Sequence, residues 1–213
     1  MSLKGKVAVI TGSSRGIGKA IALGLASEGA TIVVAARSTE SRPQAPGSIF
    51  ETAQEIESLG GKALPVECNV RDAESIQNMV ATSIDTLGRI DVLVNNAGVG
   101  NYSSFLETSL KSWDLVMDID LRAPFICCQE VVPIMIKQGS GNIINISSHA
   151  ATNIFSSTLS EDAAAGIALM GQAYGTAKAG LERFTWGLAA ELGELRQAEE
   201  AFRQVIELGK PDG

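Results

Sequence analysis

Short β-branched runs alternate with longer amphipathic stretches along these 213 residues, and that alternation limits the fold more than any other feature. Residues 6–11, 31–36, 63–67, 92–95 and 142–147 read as strands. Their near-continuous Val, Ile and Leu content is what a parallel strand needs when helices cover both of its faces. Residues 17–27, 49–59, 73–87, 112–137 and 173–192 carry helix formers with apolar positions three and four apart. Strand, helix and next strand then form right-handed crossovers, so the pattern predicts an α/β fold, a doubly wound parallel sheet in a three-layer αβα arrangement. No linker divides the chain, and we read residues 1–213 as one domain.

A 45% hydrophobic composition supplies a core for such a domain. Its net charge of −7 argues against a surface built for nucleic acid or anionic lipid. No apolar stretch approaches the roughly 18 residues of a membrane span, and the start runs into the first strand without a signal-peptide core. The expectation is a cytoplasmic protein with no membrane or nucleic-acid partner. Cys68, Cys127, Cys128 and one histidine match neither zinc spacings nor a disulfide framework, so no metal site is expected.

Thr11, Gly12, Ser13, Ser14, Arg15, Gly16, Ile17 and Gly18 join the first strand to the first helix, with the glycines spaced G-x-x-x-G-x-G. Without Cβ atoms in the way, a phosphate can approach the backbone N–H groups, and the following helix presents its positive dipole end. Gly12, Ser14, Arg15, Gly16, Ile17 and Gly18 are therefore candidate cofactor contacts. An NAD-type site places an acid about 20 residues after the glycines to accept from the ribose hydroxyl. Here the second strand ends Val34, Ala35, Ala36, Arg37, Ser38, without a carboxylate. A 2′-phosphate would find Arg37 there, with Arg15 as a second partner, and guanidinium suits bidentate phosphate recognition. NADP(H) is the preferred cofactor and NAD(H) the alternative.

Asn95, Asn96, Ala97 and Gly98 end the fourth strand, and Tyr174, Gly175, Thr176, Ala177 and Lys178 open a late helix. With the glycine turn, these motifs make the sequence resemble the classical short-chain dehydrogenase/reductase family over about residues 4–193. The resemblance implies a Rossmann-type fold, a nicotinamide cofactor and reversible oxidation of an alcohol to a carbonyl. It also implies a homotetramer or homodimer packed through the helices at 112–137 and 173–192.

Tyr174 and Lys178 are four apart and share a helix face, where an ammonium favours the phenolate. A free tyrosine, with a pKa of about 10, is a poor base at neutral pH. By resemblance Tyr174 is the acid/base, and Lys178 lowers its pKa and holds the nicotinamide ribose. Ser148 matches the serine that hydrogen-bonds the substrate oxygen, with Ser147 as the alternate. Asn96 matches the residue that steadies the central strand near the cofactor, Gly98 lets the chain pass close to the adenine ribose, and Ala97 between them is a further candidate cofactor contact. Asn69 and Val70 lie where the family commonly has an acid facing the adenine amino group, and an Asn oxygen can still accept that bond.

Asp120 stands, by its spacing from Asn95, where the family's catalytic set has an asparagine. An amide can hold a water as donor and acceptor, whereas an ionised carboxylate only accepts, so Asp120 is expected to carry a different relay or none, and its negative charge near Lys178 is expected to counter the lowering of the Tyr174 pKa. The interval from Ser148 to Tyr174 is about twice the usual one, and its extra segment is expected to loop out. Residues 195–208 read as helical, with no β-branched run for a further strand, and we expect the chain as given to lack a segment near Glu194. The functional expectation is hydride transfer between NADP(H) and a small or medium apolar alcohol or ketone. A catalytically impaired NADP(H)-binding sensor or structural partner is the alternative. The loop Pro46, Gly47, Ser48, Ile49, Phe50 resembles that of hydroxysteroid dehydrogenase-like members, without fixing a substrate.

Overall fold

A computed structural model describes residues 2–100, 103–152 and 171–193. It divides into two compact units, Met1–Ala97 with Phe125–Ile144, and Gly98–Pro124 with Asn145–Gly213. The first is built on a sheet of β1 (Val7–Thr11), β2 (Thr31–Ala36), β3 (Lys62–Glu67), β4 (Val92–Asn95) and β5 (Asn142–Asn145), in the order β3-β2-β1-β4-β5. β1 pairs in parallel with β2, Val9 against Val33, and with β4, Val9 against Leu93. β2 pairs in parallel with β3, Val33 against Leu64. Every residue of β1 is buried, as a central strand covered on both faces requires.

The crossovers are α1 (Gly16–Ser27), α2 (Ile49–Ser58) and α3 (Ala73–Leu87). The chain lays strands outward from β1 to β3 and then returns to place β4 on the other side of β1. This is the Rossmann-type doubly wound parallel sheet that the alternation predicts. Its order reverses between β1 and β4, and ligands of such sheets sit beyond the strands' carboxyl ends at that reversal.

Local chemistry sets the element ends. Ser48 Oγ accepts from the Glu51 amide at 3.1 Å while Glu51 Oε2 accepts from the Ser48 amide at 3.0 Å, a reciprocal cap that starts α2. Asp72 caps α3 through the Glu74 amide, and Gly88, at φ +75°, ends it. Cys68, Cys127 and Cys128 are buried thiols, and burial pushes Cys68 up to about 11 and Cys128 up to about 12, so neither is a thiolate near neutral pH.

Two elements differ from the sequence reading. The helix expected at 112–137 is α4 (Leu110–Met117), a π-helical turn Asp118–Arg122, and α5 (Ala123–Gln138). The Ala123 amide reaches back five residues to the Asp118 carbonyl, and this wider turn accommodates one extra residue. The last strand, expected through residue 147, stops at Asn145, and the next carbonyl, Ile146, accepts from Lys178 Nζ at 2.8 Å. The extra segment after Ser148 and the helical tail beyond Glu194 fall outside the described residues.

At the amino ends of β1 and β4, the buried Asp91 carboxylate accepts from Lys6 Nζ (2.8 Å), the Val7 amide (3.0 Å) and Arg89 Nη2 and Nε (2.6 and 2.7 Å). Burial pushes the carboxyl up, but the hydrogen bonds from Arg89, Lys6 and Val7 and the Arg89 charge outweigh it and hold it at about 2. A depressed carboxyl stabilises the fold fully above its unfolded value of about 4, and that contribution is lost as pH falls through the folded value. Asp91→Asn should therefore lower stability by about 2 kcal/mol near neutral pH in urea unfolding. The gap from wild type should close between about pH 4 and pH 2, where wild type loses the same contribution.

Candidate active site

In the first unit, the carboxyl ends of β1 and β4 are pinned together. Asn96 Nδ2 donates to the Thr11 carbonyl at 2.9 Å and to the Gly12 carbonyl at 3.3 Å. Thr11 Oγ1 accepts from the Asn96 and Ala97 amides, both at 3.1 Å. The segments run so close that a Cβ on Gly12 would lie 2.9 Å from Ala97 Cα, and one on Gly18 would lie 2.5 Å from the Gly12 oxygen. Gly16, at φ +55°, adopts a conformation that disfavours side chains, and a Cβ there would meet nothing within 4 Å. No side chain caps the amino end of α1 at Arg15. Its first N–H groups thus suit a bound anion, and the glycine cradle fits the pyrophosphate of a dinucleotide.

The remaining candidates of this unit surround the turn. Ser14 is buried, while Ile17 is 66% exposed on the first turn of α1. Arg15 Nη2 donates to Ser38 Oγ at 2.5 Å and to the Gly47 carbonyl at 3.1 Å, so its guanidinium lies at the end of β2, where Arg37 is exposed. Asn69 Oδ1 accepts from the Arg71 amide at 3.3 Å and keeps a second lone pair, and Val70 beside it is buried.

The second unit carries the proton-transfer candidates. Its core is Val116, Ala173 and Ala177, against which Val99, Trp113, Met117, Leu121 and Tyr174 pack. α6 (Gln172–Glu191) presents Tyr174 and Lys178 on one face. Glycine lets α6 sit close to its neighbours: a Cβ on Gly175 would lie 3.0 Å from the Ala150 oxygen, and one on Gly180 would lie 3.1 Å from a Leu121 methyl. Lys178 is 3% exposed. Its Nζ donates to the Ile146 carbonyl at 2.8 Å, lies 3.2 Å from Asp120 Oδ1 and sits 5.6 Å from the Tyr174 ring centroid. Asp120, buried on the π-turn, accepts from the Val99 amide at 3.0 Å through Oδ2. Burial pushes its carboxyl up, and the Lys178 charge and the Val99 amide only partly offset this.

The two serines differ. Ser148 caps a 3₁₀ turn, His149–Ala151, its Oγ accepting from the Ala150 amide at 3.2 Å, which leaves its own hydrogen to donate. Ser147 Oγ donates its hydrogen to Glu182 Oε1 at 2.6 Å. Asp120, Tyr174 and Lys178 thus form one cluster, while Gly98 lies in the same unit, one residue before the Val99 amide that holds Asp120. Sequence reasoning missed Thr11, Glu182 and the Ile146 carbonyl. Glu182 has a signal, since it follows Lys178 by four residues on α6. A backbone carbonyl leaves none.

The short chain dehydrogenase family model matches residues 6–196. Hydroxysteroid dehydrogenase-like protein 2 of Xenopus laevis is 46% identical over 145 residues, 68% of this chain and 35% of that protein. The human protein of the same name is 43% identical over 145 residues, 68% of this chain and 35% of that protein. The chain therefore matches about a third of the length of these relatives. Among solved structures, a metagenomic short-chain oxidoreductase in complex with NADP has a TM-score of 0.77 at 36% identity, covering 93% of this chain and 80% of that one. A short-chain type dehydrogenase/reductase from Mycobacterium marinum has a TM-score of 0.77 at 33% identity, covering 90% and 68%.

Gly18→Ala should weaken nucleotide binding at least about tenfold by calorimetry, because its Cβ forces the turn away from the Gly12 carbonyl. Gly24→Ala, in open space on the same helix, should leave affinity unchanged and stabilise the protein by about 1 kcal/mol.

Proposed function

The chain belongs to the short-chain dehydrogenase/reductase family, and from that premise we propose that it is an oxidoreductase moving hydride between NADP(H) and a small or medium apolar alcohol or ketone. The observation that supports this reading most is the buried Lys178 ammonium, tied to the Ile146 carbonyl at 2.8 Å and 5.6 Å from the Tyr174 ring centroid. In reduction Tyr174 donates its phenolic proton to the carbonyl oxygen, and the ammonium stabilises the phenolate left behind. In oxidation the phenolate takes the alcohol proton. Ser148 donates its free hydrogen to the same substrate oxygen, polarising the bond and fixing the substrate's orientation. The nicotinamide, when bound, supplies or accepts the hydride.

Gly12, Ser14, Arg15, Gly16, Ile17 and Gly18 would hold the pyrophosphate. Asn69 and Val70 would meet the adenine, Asn96, Ala97 and Gly98 its ribose, and Lys178 the nicotinamide ribose. NADP(H) is preferred over NAD(H) because β2 ends without a carboxylate, while Arg37 and Arg15 stand there to meet a 2′-phosphate. The relatives' hydroxysteroid dehydrogenase-like names agree with an apolar hydroxyl substrate. Among the described residues no helix is long and apolar enough to cross a membrane. A cytoplasmic homotetramer or homodimer completes the reading.

The test is NADPH consumption with a panel of apolar ketones. Tyr174→Phe should lower kcat by about 10³-fold while leaving the NADPH Kd within a few-fold. Ser148→Ala should cost about 10²-fold or more, and Ser147→Ala much less, since its hydroxyl is held by Glu182. Arg37→Ala should weaken NADPH binding by about 10- to 100-fold and leave NADH binding unchanged. Tight NADPH binding without turnover of any carbonyl would instead assign the chain to a catalytically impaired sensor.

A further inference from the structure

Asp120 places a carboxylate against the lysine on which the proposed chemistry depends. It has no solvent exposure, its Oδ2 is engaged by the Val99 amide at 3.0 Å, and its Oδ1 lies 3.2 Å from Lys178 Nζ without hydrogen-bond geometry. The contact is therefore chiefly one of charge, in a setting that screens charge poorly. Lys178, from α6, is the cation facing Asp120 among the described residues. On Asp120's own turn, Asp118 and Arg122 pair with each other at 3.7 Å, with Arg122 63% exposed. One turn beyond Lys178, Glu182 takes the Ser147 hydroxyl, and His149 is exposed on the 3₁₀ turn.

We propose that Asp120 is a positioning residue that neutralises part of the Lys178 charge and so raises the pH at which Tyr174 gives up its proton. The inference rests on the reading of Tyr174 as the acid/base. An unopposed ammonium favours the phenolate, whereas an ammonium facing a buried carboxylate offers the phenol less. Tyr174 then stays protonated further up the pH scale. A protonated phenol is the form that reduction needs, so the pair biases the chain toward reducing carbonyls near neutral pH and restricts alcohol oxidation to alkaline conditions. Burial pushes the Asp120 carboxyl up, so this brake is lost at a higher pH than an ordinary carboxylate would lose it.

The test is a spectroscopic titration of the phenolate in the full chain, with the Tyr174→Phe titration subtracted to remove Tyr102. Asp120→Asn, which keeps an oxygen for the Val99 amide, should lower the Tyr174 midpoint by about one pH unit or more. The rise of kcat/KM for alcohol oxidation should move down in pH by the same amount. Asp120→Ser removes the same charge with a smaller side chain and should shift the midpoint in the same direction, so the result does not depend on one variant folding. A midpoint that stays or rises in these variants overturns the inference. If it stays while Tyr174→Phe abolishes turnover, the acid/base reading stands and this one alone fails. Turnover that survives Tyr174→Phe removes both.

Discussion

An ammonium that water barely reaches persists only where oxygen atoms surround it, and the second unit is arranged around that demand at Lys178. The chain stops behaving as a strand after Asn145, and the Ile146 carbonyl is given to Nζ. The π-turn Asp118–Arg122 brings Asp120 to the same nitrogen. Small residues on α6, Ala173 and Ala177 in the core and Gly175 and Gly180 at close contacts, let the helix lie near its neighbours. The Tyr174 ring, one turn earlier on α6, then shares the field of a charge whose partners are fixed in place.

The first unit is arranged around a different feature, the close approach of two backbone segments at the strand ends. Its sheet order reverses beside β1, and Thr11 and Asn96 close that reversal through hydrogen bonds between the strand ends. At Gly12 and Gly18 a side chain would collide with the neighbouring segment, so the glycines there are needed for packing. Gly16 differs, because the space beyond it is open. Arg15 serves this unit by binding Ser38 and Gly47, which fixes a guanidinium at the end of β2.

What was legible in the sequence follows from the range of the forces involved. β1, β2 and β4 lie within a residue of their expected bounds, because burial on both faces of a parallel strand writes a continuous apolar run. α2 and α3 were readable for a similar reason, from apolar positions three and four apart that face the sheet. The π-turn was not, since widening a helix by one residue needs no particular residue type. The family position put Asp120 near Lys178, but its complete burial at 3.2 Å from Nζ is a tertiary fact between residues 58 apart in the chain. Tyr174 and Lys178 were visible by their four-residue spacing, while the Ser147–Glu182 hydrogen bond, between residues 35 apart, was not.

The proposed chemistry has a hydride leave the nicotinamide and arrive on the substrate carbon, with the proton coming separately from Tyr174. The most direct measurement uses NADPH carrying deuterium at the transferable position of its nicotinamide, incubated with the chain and cyclohexanone or another small apolar ketone. Mass spectrometry of the alcohol should find the deuterium on its carbinol carbon with wild type, and essentially no product with Tyr174→Phe. Bound nucleotide with no deuterated alcohol from any ketone, or labelled product formed equally well without the Tyr174 hydroxyl, would contradict the account.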